Sequence, residues 1–136
     1  VILVDTSVWC DHLSCGDPAL IVLLEAGAVL THPVIVSELA LLGLRQRQGI
    51  IDALQGLPTA HFATQDQILE TIRQFALTGL GLTVADVQVL TATRLTTDVA
   101  LWTRSPLLRE VATQVGRAFT PLAQDHGALR ASRSLI

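Results

Sequence analysis

The sequence contains no lysine: its nine basic residues are all arginine, and twelve acids leave a net charge of -3. A protein that holds nucleic acid chiefly through its own charge is usually basic. Any grip on phosphate must here be local or must work through a bound cation. Arginine suits the local route, because its planar fork donates two parallel hydrogen bonds. Aromatics are also scarce, with two Trp, three Phe and no Tyr. The core must therefore be built from Leu, Val, Ile and Ala. Cysteine occurs only at Cys10 and Cys15. That spacing fits no common zinc pattern, and one pair does not make a disulfide scaffold, so both read as thiols of a reducing, cytoplasmic compartment. Long apolar runs are missing as well. The stretch from Val34 to Leu44 is broken by Ser37 and Glu38 and is too short to span a bilayer. No basic stretch precedes an apolar one near Val1, so no signal peptide is expected.

What is present is apolar: half of the 136 residues are hydrophobic and 15% are charged. A chain of this size hides roughly two-thirds of its unfolded surface and folds without staples. One domain over residues 1–136 is expected, its tail from about Pro121 either a last helix or loose. Short strand-like runs at 1–4, 28–31, 60–63, 99–102 and 117–119 alternate with helical stretches. Asp17-Pro18 opens a helix to about Ala26, and Pro33 opens one to about Leu44. A shorter helix covers 48–54. Thr64 and Thr83 cap helices running to Leu77 and Leu95, and Pro106 lies early in one to about Val115. The alternation implies an α/β fold with a mainly parallel sheet. Gly79-Leu80-Gly81 follows no strand and lacks a third glycine, so the dinucleotide-binding motif fails.

Three acids stand where chemistry is expected. Asp5 ends the first strand, and ligands of open parallel sheets bind beyond the carboxyl ends of the strands. Its plainer reading is a turn residue that helps Thr6 or Ser7 start a helix. Glu38 lies four residues after Val34 and four before Leu42, on an otherwise apolar helix face. It should be largely buried, which is costly for a carboxylate unless it is paired, protonated or bound to a metal. Arg45 and Arg47, the alternative partners, stand at the far end of that helix. Asp86 follows Thr83 by three residues, a capping-box pattern that also aims it at the end of the sheet. Two carboxylates about 4 Å apart repel by about 4 kcal/mol at an effective dielectric of about 20. Three together require a raised pKa or a divalent cation. Oxygen-only ligands favour Mg²⁺ or Mn²⁺ over zinc, and such an ion activates water against a phosphodiester.

Asp5-Thr6-Ser7-Val8-Trp9, followed by Asp11-His12-Leu13, resembles the opening of VapC toxins of the PIN-domain ribonuclease family. Thr31-His32-Pro33 with Ser37-Glu38-Leu39-Ala40 resembles the segment of the second acid. Gly81-Leu82-Thr83-Val84-Ala85-Asp86 resembles that of the third, and Leu101-Trp102-Thr103-Arg104 the strand end before the fourth. The resemblance extends to about Val115. It implies a three-layer α/β/α PIN fold with a five-stranded parallel sheet. It implies metal-dependent RNA cleavage by Asp5, Glu38 and Asp86 with Mg²⁺ or Mn²⁺, a small VapB-like protein antitoxin, and a homodimer.

Where that family usually has its fourth acid, this chain has Ser105. Asp98 precedes the strand that Ser105 follows, roughly 13 Å away at about 3.3 Å per residue, and is no substitute. One metal is therefore expected to bind well and a second weakly, with Ser105→Asp tightening binding. The alternative is a catalytically weakened PIN domain that binds RNA or a partner. Thr6, Ser7, Thr103 and Ser105 are the supporting residues: the first two as helix caps or ligands of Asp5, Thr103 as an orienter of water or phosphate. Arg94, Arg104 and Arg109 are candidates for RNA contact, His12, His32, His61 and His126 show no ligand spacing, and Trp9 and Trp102 read as packing. The Asp5-Thr6-Ser7 start lacks the second Asp that dehalogenase-type phosphatases carry two residues on. The apolar helices between Pro33 and Leu57 offer more surface than a sheet needs, enough for self-association or an antitoxin helix.

Overall fold

The computed structural model describes residues 1–121; the expected tail after Pro121 lies outside the described residues. Among these residues three parallel strands form the sheet: β1 Ile2–Val4, β2 Val29–Leu30 and β3 Ala100–Trp102, in the order β2-β1-β3. Ile2 pairs with Val29 on one side and Ala100 on the other, and Leu3 with Leu30 and Leu101. Leu3, Val4 and Leu101 are wholly buried, as continuous apolar strands of a covered parallel sheet should be.

The expectation of five strands is corrected to three. The outer two reduce to single parallel bridges, Thr31 with Thr59 and Leu101 with Ala118. Ala118 lies within the expected run 117–119 and Thr59 one residue before the expected run 60–63, but neither ladder grows. Beside Thr59, the N–H of His61 turns away to the Thr96 hydroxyl at 3.0 Å, and Thr64 already caps the next helix. Beside Ala118, Pro121 follows without an N–H to donate. Such short edges also resist pairing with another chain.

Among the described residues seven helices surround the sheet: α1 Thr6–Cys15, α2 Pro18–Glu25, α3 Pro33–Ala40, α4 Arg47–Gln55, α5 Gln65–Gln74, α6 Val84–Leu95 and α7 Pro106–Val115. Their starts follow local chemistry. Asp17 accepts the Leu20 N–H, Thr64 and Gln67 form a reciprocal cap, and so do Thr83 and Asp86. Proline occupies the first turn of α2, α3 and α7. Two helices end earlier than expected. Helix α3 stops at Ala40, where the Leu41 N–H divides between carbonyls 37, 38 and 39. Helix α5 stops at Gln74, before Ala76 takes a left-handed φ of 52°.

Helix α6 is the central element, packing against α3, α5, α7 and β3. Residues 87–93 of it are all buried. Its buried Thr91 and Thr93 hydroxyls donate to the carbonyls four residues back, at 2.7 and 2.9 Å, which satisfies them inside the core. Trp9 and Trp102 belong to that core, as expected. Among the described residues, no helix is long and apolar enough to cross a membrane.

Candidate active site

Asp5 leaves the end of β1 as the cap residue of α1, yet its side chain caps nothing. Its backbone N–H bonds the Trp102 carbonyl at 2.9 Å, which ties the carboxyl ends of β1 and β3 together. Asp5 as a residue is 8% exposed. One of its oxygens, Oδ2, accepts two hydroxyls: Thr103 Oγ1 at 2.7 Å and Ser7 Oγ at 3.0 Å. Those hydroxyls are themselves fixed. The Ser105 N–H donates to Thr103 Oγ1 at 3.1 Å, and the Arg104 N–H donates to Ser7 Oγ at 3.0 Å. Both hydroxyls therefore accept from the backbone and point their protons at Asp5. Oδ1 of Asp5 has no hydrogen bond among the described residues.

Glu38 reaches the same corner from α3. Its Oε1 accepts the Thr6 hydroxyl at 2.7 Å, one residue on from Asp5. The side chain is half-buried rather than largely buried, on a helix that packs against α1. Both acids act on Cys10, one turn along α1 from Thr6. Burial pushes that thiol up first, and the charges of Asp11, Asp5 and Glu38 push it further.

Asp86 is placed differently. Its Oδ2 accepts the Thr83 N–H at 3.1 Å, while its own N–H donates to Thr83 Oγ1 at 3.0 Å. The capping-box reading holds in full. Among the described residues no three acidic, histidine or cysteine side chains stand close enough to hold a metal ion together. Asp5 and Glu38 share a corner; Asp86 is turned onto its own helix end.

Ser105 caps α7, its hydroxyl accepting the Leu108 N–H at 3.3 Å. Thr103 is 1% exposed and faces Asp5, not solvent. Arg104 is engaged within the fold. It pairs with Asp11 of α1 at 2.7 Å and with Asp17, the cap of α2, and lies over Trp102. It straps the loop after β3 onto the α1–α2 turn, a role that nothing in the sequence signals. Arg109 holds the Thr103 carbonyl at 3.1 Å, and Arg94 lies over Phe75.

The donor set tests the implied metal. Among the described residues no arginine or histidine pairs with Asp5, Glu38 or Asp86. The free donors at the corner are carboxylate oxygens, one on Asp5 and one on Glu38. Mg²⁺ is commonly held by one or two carboxylates with water completing its shell. The Asp5–Glu38 corner fits that demand; among the described residues a closed three-acid cage is not formed.

These features define a class: an α/β protein with two uncompensated carboxylates at the carboxyl edge of a parallel sheet. No protein-family model matches the chain. It is, however, 36% identical over 118 residues to Ribonuclease VapC32 of Mycobacterium tuberculosis, in each of two strains, which covers 87% of this chain and 95% of that protein. The chain belongs to the VapC ribonuclease family.

Proposed function

We propose that the chain is the toxin of a type II toxin–antitoxin pair, an endoribonuclease that depends on Mg²⁺ or Mn²⁺. The observation that carries this reading is the state of Asp5: nine-tenths buried, ringed by hydroxyls, and without a counter-cation among the described residues. Such a group is costly unless something positive joins it. Asp5 and Glu38 hold the ion. Asp86, with Oδ1 free of hydrogen bonds among the described residues, is the third acid of the site. When bound, the ion supplies Lewis acidity that activates water and neutralises phosphate charge.

The reaction is a hydrolysis. A water oxygen joins phosphorus, one ester P–O bond breaks, and the leaving oxygen takes up a proton. Thr103 and Ser7 orient the Asp5 carboxylate through the two hydroxyls they donate to Oδ2. They also fix which oxygen faces the ion. Thr6 does the same for Glu38.

The partner is a small VapB-like protein whose apolar helix enters the cleft between α1, α2 and α4. That cleft of about 290 Å³ is lined by Trp9, Leu13, Leu24, Ile50 and Leu54. Leu41, 86% exposed at the end of α3, supplies apolar surface for a homodimer. The site of action is the cytoplasm, where such a toxin meets RNA.

The test is cleavage of cellular RNA by the purified protein, with Mg²⁺ and with EDTA, beside Asp5→Ala. Cleavage that needs the metal and vanishes in Asp5→Ala supports the reading. Metal-dependent cleavage retained in Asp5→Ala overturns the assignment. A second reading, a weakened PIN domain that binds without cutting, draws on Ser105, whose hydroxyl is spent on a helix cap. RNA bound but uncut by the wild-type protein in Mg²⁺ would favour it.

A further inference from the structure

We propose that the ring of Phe62 is a stacking platform for one base of the RNA strand. The inference rests on the ribonuclease reading and adds a contact to it. Of the aromatic residues, Trp9 and Trp102 are buried and Phe75 and Phe119 are half-buried. Phe62 alone is exposed, at 56%.

Its exposure has a direction. The inner face of the ring lies on the imidazole of His32, with centroids 5.1 Å apart and planes inclined by 22°. The accessible surface is therefore the outer face and the edges. His32 is wholly buried and fixed, because its Nδ1 accepts the Val34 N–H at 3.0 Å. Burial and the neighbouring His61 push that imidazole down to about 4, so the ring beneath Phe62 is neutral at physiological pH. A flat ring held from below loses little freedom when a second ring stacks on it.

The surroundings choose the ligand. His61, Thr64, Gln65 and Asp66 are exposed and polar, and Ala63 is buried. A docked protein needs contiguous apolar area. A base needs one open π face, and aromatic platforms are the usual seat of unpaired bases. The position fits as well. Carried two residues beyond its last pair, Leu3 with Leu30, the β1–β2 register would bring His32 level with Asp5, a strand spacing of about 4.8 Å away. Phe62, one ring further out, lies on the order of 10 Å from Asp5, within about three base steps of 3.4 Å each.

The experiment measures binding of a labelled single-stranded oligoribonucleotide by fluorescence anisotropy, in an Asp5→Asn background that prevents cutting. Phe62→Ala and Phe62→Leu should weaken binding roughly 5- to 100-fold, the range for loss of one stacked base. Phe62→Trp should restore it, with indole emission quenched as RNA is added. Leu keeps a cover over His32, and thermal melts of each variant separate lost folding from lost stacking. Parent-like affinity in a folded Phe62→Leu overturns the platform while leaving the ribonuclease reading intact. So does RNA binding retained in Phe62→Ala alongside lost self-association, which would assign the ring to a protein contact. If the Asp5→Asn parent binds no RNA and the wild-type protein cuts none, the underlying reading fails and the platform falls with it.

Discussion

Asp5 and Asp86 both stand at helix starts, yet the fold uses them in opposite ways. Asp5 occupies the cap position of α1 and leaves capping undone; its carboxylate is held by Thr103 and Ser7 from outside the helix end. Asp86 lies three residues into α6 and its carboxylate closes the cap with Thr83. Neither Oδ1 is hydrogen-bonded among the described residues, but Oδ2 is spent on tertiary hydroxyls in Asp5 and on a local cap in Asp86. A hydroxyl near a carboxylate therefore has two meanings. It either prepares the acid for chemistry or completes a helix, and the hydrogen-bond partners decide which.

A third helix start gives the largest expected effect on stability. His32 caps α3 through a neutral ring that burial holds near a pKa of about 4, below its ordinary value of 6.5. Between those values the unfolded chain carries a proton that the folded chain refuses. Stability should be complete above pH 6.5 and fall as pH drops toward 4, by about 3 kcal/mol for a shift of this size. His32→Asn, which keeps a capping acceptor, should flatten urea-unfolding free energies across that window. An unchanged pH slope would mean that other groups carry it.

The hydroxyl that serves Asp5 should matter next. Thr103→Val removes a donor from Oδ2 at nearly constant shape. It should lower Mg²⁺ affinity or cleavage about 10- to 100-fold, as loss of a bond to a metal ligand commonly does, beside a loss of about 1–3 kcal/mol of stability from the Ser105 N–H left without its acceptor. The hydroxyl that serves Asp86 should act the other way. Thr83→Ala should cost about 1 kcal/mol of stability through the lost cap and leave cleavage close to wild type. Comparable losses of cleavage in both variants would erase the contrast between the two acids.

Much of this was legible in the residues themselves where the cause is local. Asp17, Thr64, Thr83, Pro33 and Pro106 open helices through contacts within a few residues, and each does so in the structure. The outer strands were not legible, because their lengths depend on distant partners such as Thr96, which takes the His61 N–H. The acids divide the same way. Asp5 at a strand end and Asp86 in its cap follow from short patterns. That Thr103 faces Asp5, 98 residues away, and that Arg104 straps onto Asp11 and Asp17, are facts of tertiary packing. No pattern along the chain encodes them.

The account depends on a metal seat made by Asp5 and Glu38. Calorimetric titration of Mg²⁺ into the wild-type protein, Asp5→Asn, Glu38→Gln and Asp86→Asn tests it directly. Binding should be lost in the first two variants and weakened but still measurable in the third. Wild-type affinity in Asp5→Asn and Glu38→Gln would contradict the account.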